Sequence, residues 1–172
     1  MVDVWDLPLR IFHWALAASV LIAWFSANIL DTVHEIAGYT VLGLIVFRIV
    51  WGFTGTRYSR FRNSVQALRT VGHHLRQIAQ GQSGRHLGLN PAGAAMSYAL
   101  LVLLAVSTVS GWMQLTERFF GVDWVEKLHT YSSNLVLILA GVHVLGVLLT
   151  CALQKENLVR AMITGQKRAR DE

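Results

Sequence analysis

Four long runs of this sequence carry almost no charge, and a water-soluble domain of 172 residues cannot surround that much continuous apolar length with polar surface. Ile11–Leu30 contains no Asp, Glu, Lys or Arg over 20 residues. At 1.5 Å per residue, that run crosses a hydrocarbon layer about 30 Å thick. It is also longer than the apolar part of a cleaved leader, so it counts as a first span, about 11–30. A second span covers about 36–53, with Arg48 near its far end, where a long side chain can snorkel to the headgroups. The third covers about 94–113. Leu128–Leu153 is free of charged residues and supplies the fourth, about 128–150. Hydrophobic residues make up 53% and charged residues 15% of the chain, and the mean hydropathy is +0.44. The expectation is an all-α, integral-membrane four-helix bundle of up-down topology, forming one domain over residues 1–172.

Charge sets the orientation. Arg10, Arg48, six arginines between spans two and three, and five basic residues after Cys151 fall on one side, while only Arg118 and Lys127 fall on the other. The positive-inside rule places both termini and the long middle loop in the cytoplasm of a multi-pass membrane protein. Within that loop Val65, Leu68, Val71, Leu75 and Ile78 recur every three or four residues, which predicts a cytoplasmic interfacial helix between spans two and three. Gly81–Gly88 then reads as a flexible turn, and Asn90-Pro91 opens the third helix. Leu158, Met162 and Ile163 predict a short amphipathic helix stopped by Gly165. The net charge of +5 does not point to nucleic acid, because the basic residues flank apolar runs instead of lining a soluble basic face.

Of seven histidines, His73, His74 and His86 fall in the loop and read as solvated or interfacial side chains. The other four lie within or at the edge of spans, where ionisable groups are costly and tend to serve function. His13 opens span one on the cytoplasmic side, and His34 opens span two on the outer side. His129 opens span four on the outer side, and His143 lies deeper in that span. Fourteen residues separate His129 from His143, which leaves them about 40° apart around the helix and about 21 Å apart along it. His34 can therefore meet His129 at one depth and His13 can meet His143 at the other; the crossed pairing fails on depth. Two facing imidazoles can supply both axial ligands of one haem iron, so two pairs predict two haems. The single cysteine excludes covalent haem attachment through C-x-x-C-H. Two histidines per site are too few for zinc.

Gly38 and Gly43 follow His34, and Gly141 and Gly146 flank His143, where small residues would let a flat macrocycle approach the backbone. Ordinary helix packing explains any one of these glycines equally well. Arg10, one turn before His13, and Arg48 are candidates to meet haem propionates, with interfacial anchoring as the competing reading. Ser107, Thr108 and Ser110 are candidates to hydrogen-bond a ligand's second ring nitrogen, with core packing as the alternative. The segment bearing Glu117, Arg118, Phe119, Phe120, Asp123, Trp124, Glu126 and Lys127 could dock a soluble redox protein or anchor the chain at the interface.

WDLPLRIFHW (Trp5–Trp14), HEIAGY (His34–Tyr39), RIVWGF (Arg48–Phe53), NPAGAAM (Asn90–Met96), LHTYSSN (Leu128–Asn134) and ENLVRAMITG (Glu156–Gly165) together resemble the bacterial cytochrome b561 family. That group includes the cytochrome b subunits of nickel-iron hydrogenases, and the resemblance covers nearly the whole chain. It implies a bundle in the bacterial inner membrane holding two non-covalent b haems, with His13, His34, His129 and His143 as ligands, the set the spacing also selects. It further implies electron transfer between the quinone pool and a redox partner, such as a periplasmic c-type cytochrome or a hydrogenase. A relative with this bundle oxidises superoxide and reduces quinone, and that activity is the alternative expectation.

Overall fold

The computed structural model describes residues 1–56, 58–62, 65, 70–73, 76 and 88–168. Four of its helices are long and apolar enough to cross a membrane: α1 (Leu7–Ser26), α2 (Asp31–Thr54), α3 (Pro91–Gln114) and α4 (Asp123–Gln154). A short helix α5 (Leu158–Thr164) follows. Strands β1 (Val2–Asp3) and β2 (Gln166–Lys167) pair antiparallel, with Val2 opposite Lys167 and Asp3 opposite Gln166. The predicted interfacial helix cannot be compared as a whole, because Leu68, Leu75 and Ile78 lie outside the described residues, as does most of Gly81–Gly88.

Each long helix starts earlier than its charge-free run, and at α1 and α3 a polar capping residue extends it. Asp6 Oδ1 accepts the Leu9 N–H at 2.8 Å and starts α1. Asn90 Oδ1 accepts the Gly93 N–H at 2.6 Å, and Pro91, which has no N–H to leave unpaired, opens α3. Asn157 caps α5 through Arg160 N at 2.8 Å, and Gly165, at φ 86°, closes it with a 2.8 Å bond to Ala161 O. α1 ends four residues short of its run. There Ile29 N and Leu30 N both turn back onto Ser26 O, at 3.0 and 2.9 Å.

The chain divides into two compact units, each a set of segments. The second unit comprises Ile11–Ile49 and Ala99–Leu139. Its core gathers all four long helices: Val41 and Ile45 from α2, Leu104 from α3 and Val136 from α4, with Leu16 and Val20 of α1 packed against them. Beyond that seam large apolar side chains face outward, Phe25 at 72% and Ile29 at 77% exposure. Such an exterior suits lipid and not water.

The first unit comprises Met1–Arg10, Val50–Tyr98 and Ala140–Glu172. It ties the chain ends together with polar contacts. Val4 N and Trp5 N donate to Gly165 O at 2.9 and 3.0 Å, and Arg10 Nη1 donates to Thr164 O at 3.2 Å. The buried Lys167 ammonium lies 5.6 Å over the Trp5 ring and donates to Gly88 O at 3.3 Å. Gly165 has to be glycine on two counts. Its φ is left-handed, and a Cβ would stand 2.6 Å from Trp5 O.

Asp6 is the hub of this unit. Besides capping α1, it accepts Trp51 Nε1 at 3.2 Å, Thr56 Oγ1 at 2.5 Å and the Ser59 hydroxyl. Burial pushes its carboxyl pKa upward, but the hydrogen bonds from Ser59, Thr56, Leu9 and Trp51 outweigh that and hold it below the ordinary 3.8. A lowered folded pKa means that its stabilisation is complete above the unfolded value and is lost as pH falls through the folded one. Thermal unfolding in detergent is therefore expected to lose stability as pH drops below about 4. Asp6→Asn should flatten that acid dependence and cost about 1–2 kcal/mol at neutral pH.

Candidate functional site

Two of the four span histidines meet within the second unit. His34 sits in the first turns of α2 and His129 in the second turn of α4, both half-buried, with ring centroids 6.0 Å apart and ring planes at 90°. Each ring is held by a backbone carbonyl of a helix that carries no ligand of this pair. His34 Nδ1 lies 2.8 Å from Ala23 O on α1, and His129 Nδ1 lies 2.8 Å from Ser107 O on α3. A carbonyl only accepts, so the neutral imidazole carries its proton on Nδ1 and keeps the Nε2 lone pair available.

This donor set suits one kind of guest. Two imidazole nitrogens each about 2 Å from one first-row metal ion put their ring centroids roughly 6 Å apart. Among the described residues no three His, Cys, Asp or Glu side chains gather as a metal site. Two neutral imidazoles therefore fit a metal that brings its own in-plane ligands, as haem iron does. On α3, Gly111 backs the His129 ring, and a Cβ there would stand 2.9 Å from Cε1 and 3.1 Å from Nδ1.

His13 belongs to the second unit and His143 to the first, and both are half-buried. The His13 ring stands edge-on to Trp14, 5.3 Å between centroids. Their pairing rests on the sequence spacing. One unbroken helix, α4, carries both His129 and His143, as the 14-residue argument requires. Arg10 Nε is buried with no hydrogen-bond partner among the described residues, so its guanidinium retains a donor for an anion. Arg48 is 7% exposed, which corrects the snorkelling expectation: the side chain is buried. Cβ atoms at Gly38 or Gly141 would meet nothing within 4 Å, so both leave open space beside the backbone. His73 is exposed, while His74 and His86 lie outside the described residues.

The candidate docking segment, also in the second unit, presents Phe120 at 80% and Trp124 at 54% exposure. Arg118 stands 5.4 Å over the Phe119 ring, and Lys127 pairs with Asp123 at 2.7 Å. Sequence reasoning named Ser107 for its hydroxyl, yet it serves His129 through its carbonyl. Its hydroxyl bonds Ser133 at 2.7 Å instead. Ala23 and Gly111 were not anticipated. The atoms that matter there are a backbone oxygen and a missing side chain, neither of which leaves a residue-type signal.

Four apolar helices around a pair of imidazoles, each with Nε2 left as the acceptor, define a membrane cytochrome of the b type, an electron-transfer protein. The family model described as prokaryotic cytochrome b561 matches residues 4–165, and the chain belongs to that family. It is similar to a protein of Bradyrhizobium diazoefficiens (strain JCM 10833 / BCRC 13528 / IAM 13628 / NBRC 14792 / USDA 110) named "Probable Ni/Fe-hydrogenase B-type cytochrome subunit". The two are 23% identical, and the match covers 99% of this chain and 87% of that protein. No solved structure matches. Membership implies haem b, which the His34–His129 geometry fits.

Proposed function

We propose that this protein is a di-haem cytochrome of the bacterial inner membrane that carries electrons between the quinone pool and a periplasmic redox partner, such as a c-type cytochrome. The observation that carries the reading is the pair of Nδ1–carbonyl bonds on two rings 6.0 Å apart. His34 and His129 would hold the outer haem, and His13 and His143 the inner one. Haem iron, when bound, supplies one-electron chemistry by passing between its ferric and ferrous states. The chain's own residues do the rest. Ala23 O and Ser107 O orient the outer imidazoles and raise their basicity. Arg10, whose Nε has no partner among the described residues, and the buried Arg48 would hold propionates. Gly38 and Gly141 would let a macrocycle lie against α2 and α4. The excess of basic residues beside the chain ends supports both termini being cytoplasmic.

A second reading takes the partner from the relative: a hydrogenase, with this chain as its cytochrome b subunit, favoured by a match over nearly all of both chains. Anaerobic mixing of the purified protein with a quinol, followed by a soluble c-type cytochrome or a hydrogenase with its substrate, tests the reading. Reduction of the b-type absorption band by quinol and reoxidation by the cytochrome is expected. A spectrum unmoved by any quinol contradicts the quinone assignment, and reduction only through the hydrogenase selects the second partner.

A further inference from the structure

The two carbonyls that hold the outer histidines share a second feature. Ser26, three residues after Ala23, sends its hydroxyl mainly to Ile22 O at 2.7 Å and also to Ala23 O at 3.3 Å. Ser110, three residues after Ser107, sends its own mainly to Val106 O at 2.7 Å and also to Ser107 O at 3.0 Å. Both serines are buried, at 6% and 1% exposure. Each ring's carbonyl thus accepts the imidazole N–H and also a serine hydroxyl from one turn later. On α1 the backbone makes room for this, since Ala27 N turns to Trp24 O at 3.5 Å, the i−3 carbonyl, at the helix end.

We infer that Ser26 and Ser110 are positioning residues that set the potential of the haem held by His34 and His129. The inference rests on the proposed reading that this pair ligates haem. A hydroxyl donating to the same carbonyl oxygen draws charge from it and weakens the bond that the imidazole N–H makes there. That bond governs how basic the ligating nitrogen is, and a more basic ligand favours ferric iron. With its hydroxyl in place each serine holds the ligand less basic and the potential higher than an unshared carbonyl would.

Redox titration of the purified holoprotein, followed optically and by low-temperature EPR, tests this. Ser110→Ala and Ser26→Ala should each lower the midpoint potential of one haem and leave the other unchanged, with haem content intact. A threefold change in the oxidised-to-reduced ratio corresponds to a fall of about 28 mV, since tenfold is 59 mV for one electron. Ser26→Thr, which keeps the hydroxyl, should hold the wild-type potential. Unchanged potentials in both alanine variants overturn the inference. So does an equal shift of both haems, a Thr variant that shifts as far as Ala, or loss of the haem from both alanine proteins. A wild-type protein without a bis-histidine haem that depends on His34 and His129 overturns the underlying reading and the inference with it.

Discussion

On the proposed di-haem reading, His129→Ala protein, purified in detergent, is expected to carry one haem per chain and the wild type two. His129 is one of two rings whose centroids lie 6.0 Å apart, and its Nδ1 is already engaged with Ser107 O, so ligation would depend on the single remaining nitrogen. Alanine removes that nitrogen and would leave His34 as the pair's one nitrogen donor, and Ser107 O without its imidazole partner. His34→Ala should give the same deficit, because the two rings meet at one place. His143→Ala should remove a different haem, and the double variant His129→Ala/His143→Ala should hold none. Pyridine haemochrome quantitation against protein mass reads all four proteins. Retention of two haems by both His34→Ala and His129→Ala would remove this pair from the ligand set.

Gly111→Val is the second large effect. A Cβ at this position stands 2.9 Å from His129 Cε1, inside any real carbon–carbon contact, and valine adds two methyls beyond it. The ring cannot yield without loosening the 2.8 Å bond to Ser107 O that sets its orientation. Disturbing such supporting contacts weakens metal retention about 10- to 100-fold. A haem held by this pair should therefore be lost or turn high-spin on purification, and Gly111→Ala, whose Cβ alone already stands 2.9 Å from Cε1, should weaken its retention to a lesser degree. The same valine at Gly43, where a Cβ meets nothing within 4 Å, should leave both haems in place. An unaltered spectrum in Gly111→Val would show that the ring does not depend on this contact.

How far the sequence alone reached follows from which atoms do the work. The four spans were legible because an excess of apolar side chains over some 20 residues is a property of residue type. The meeting of His34 with His129 was legible for a similar reason, since helical rise and rotation are constants that turn spacing into depth and face. The seats of those rings were not. Ala23 O and Ser107 O are backbone atoms of a kind every residue owns, and only the packing of α1 and α3 selects them. The β1–β2 pairing of the two chain ends spans more than 160 residues through two-residue strands, far too short for a periodicity. Asp6 was not legible either, since nothing local in the sequence says that Trp51, Thr56 and Ser59 converge on it.

The most direct test of the whole account is the haem content and EPR spectrum of the wild-type protein purified from membranes. Two non-covalent b haems per chain, both low-spin with bis-imidazole ligation and titrating as two one-electron components, are expected. A single haem, or none under conditions that keep the helices folded, would contradict it.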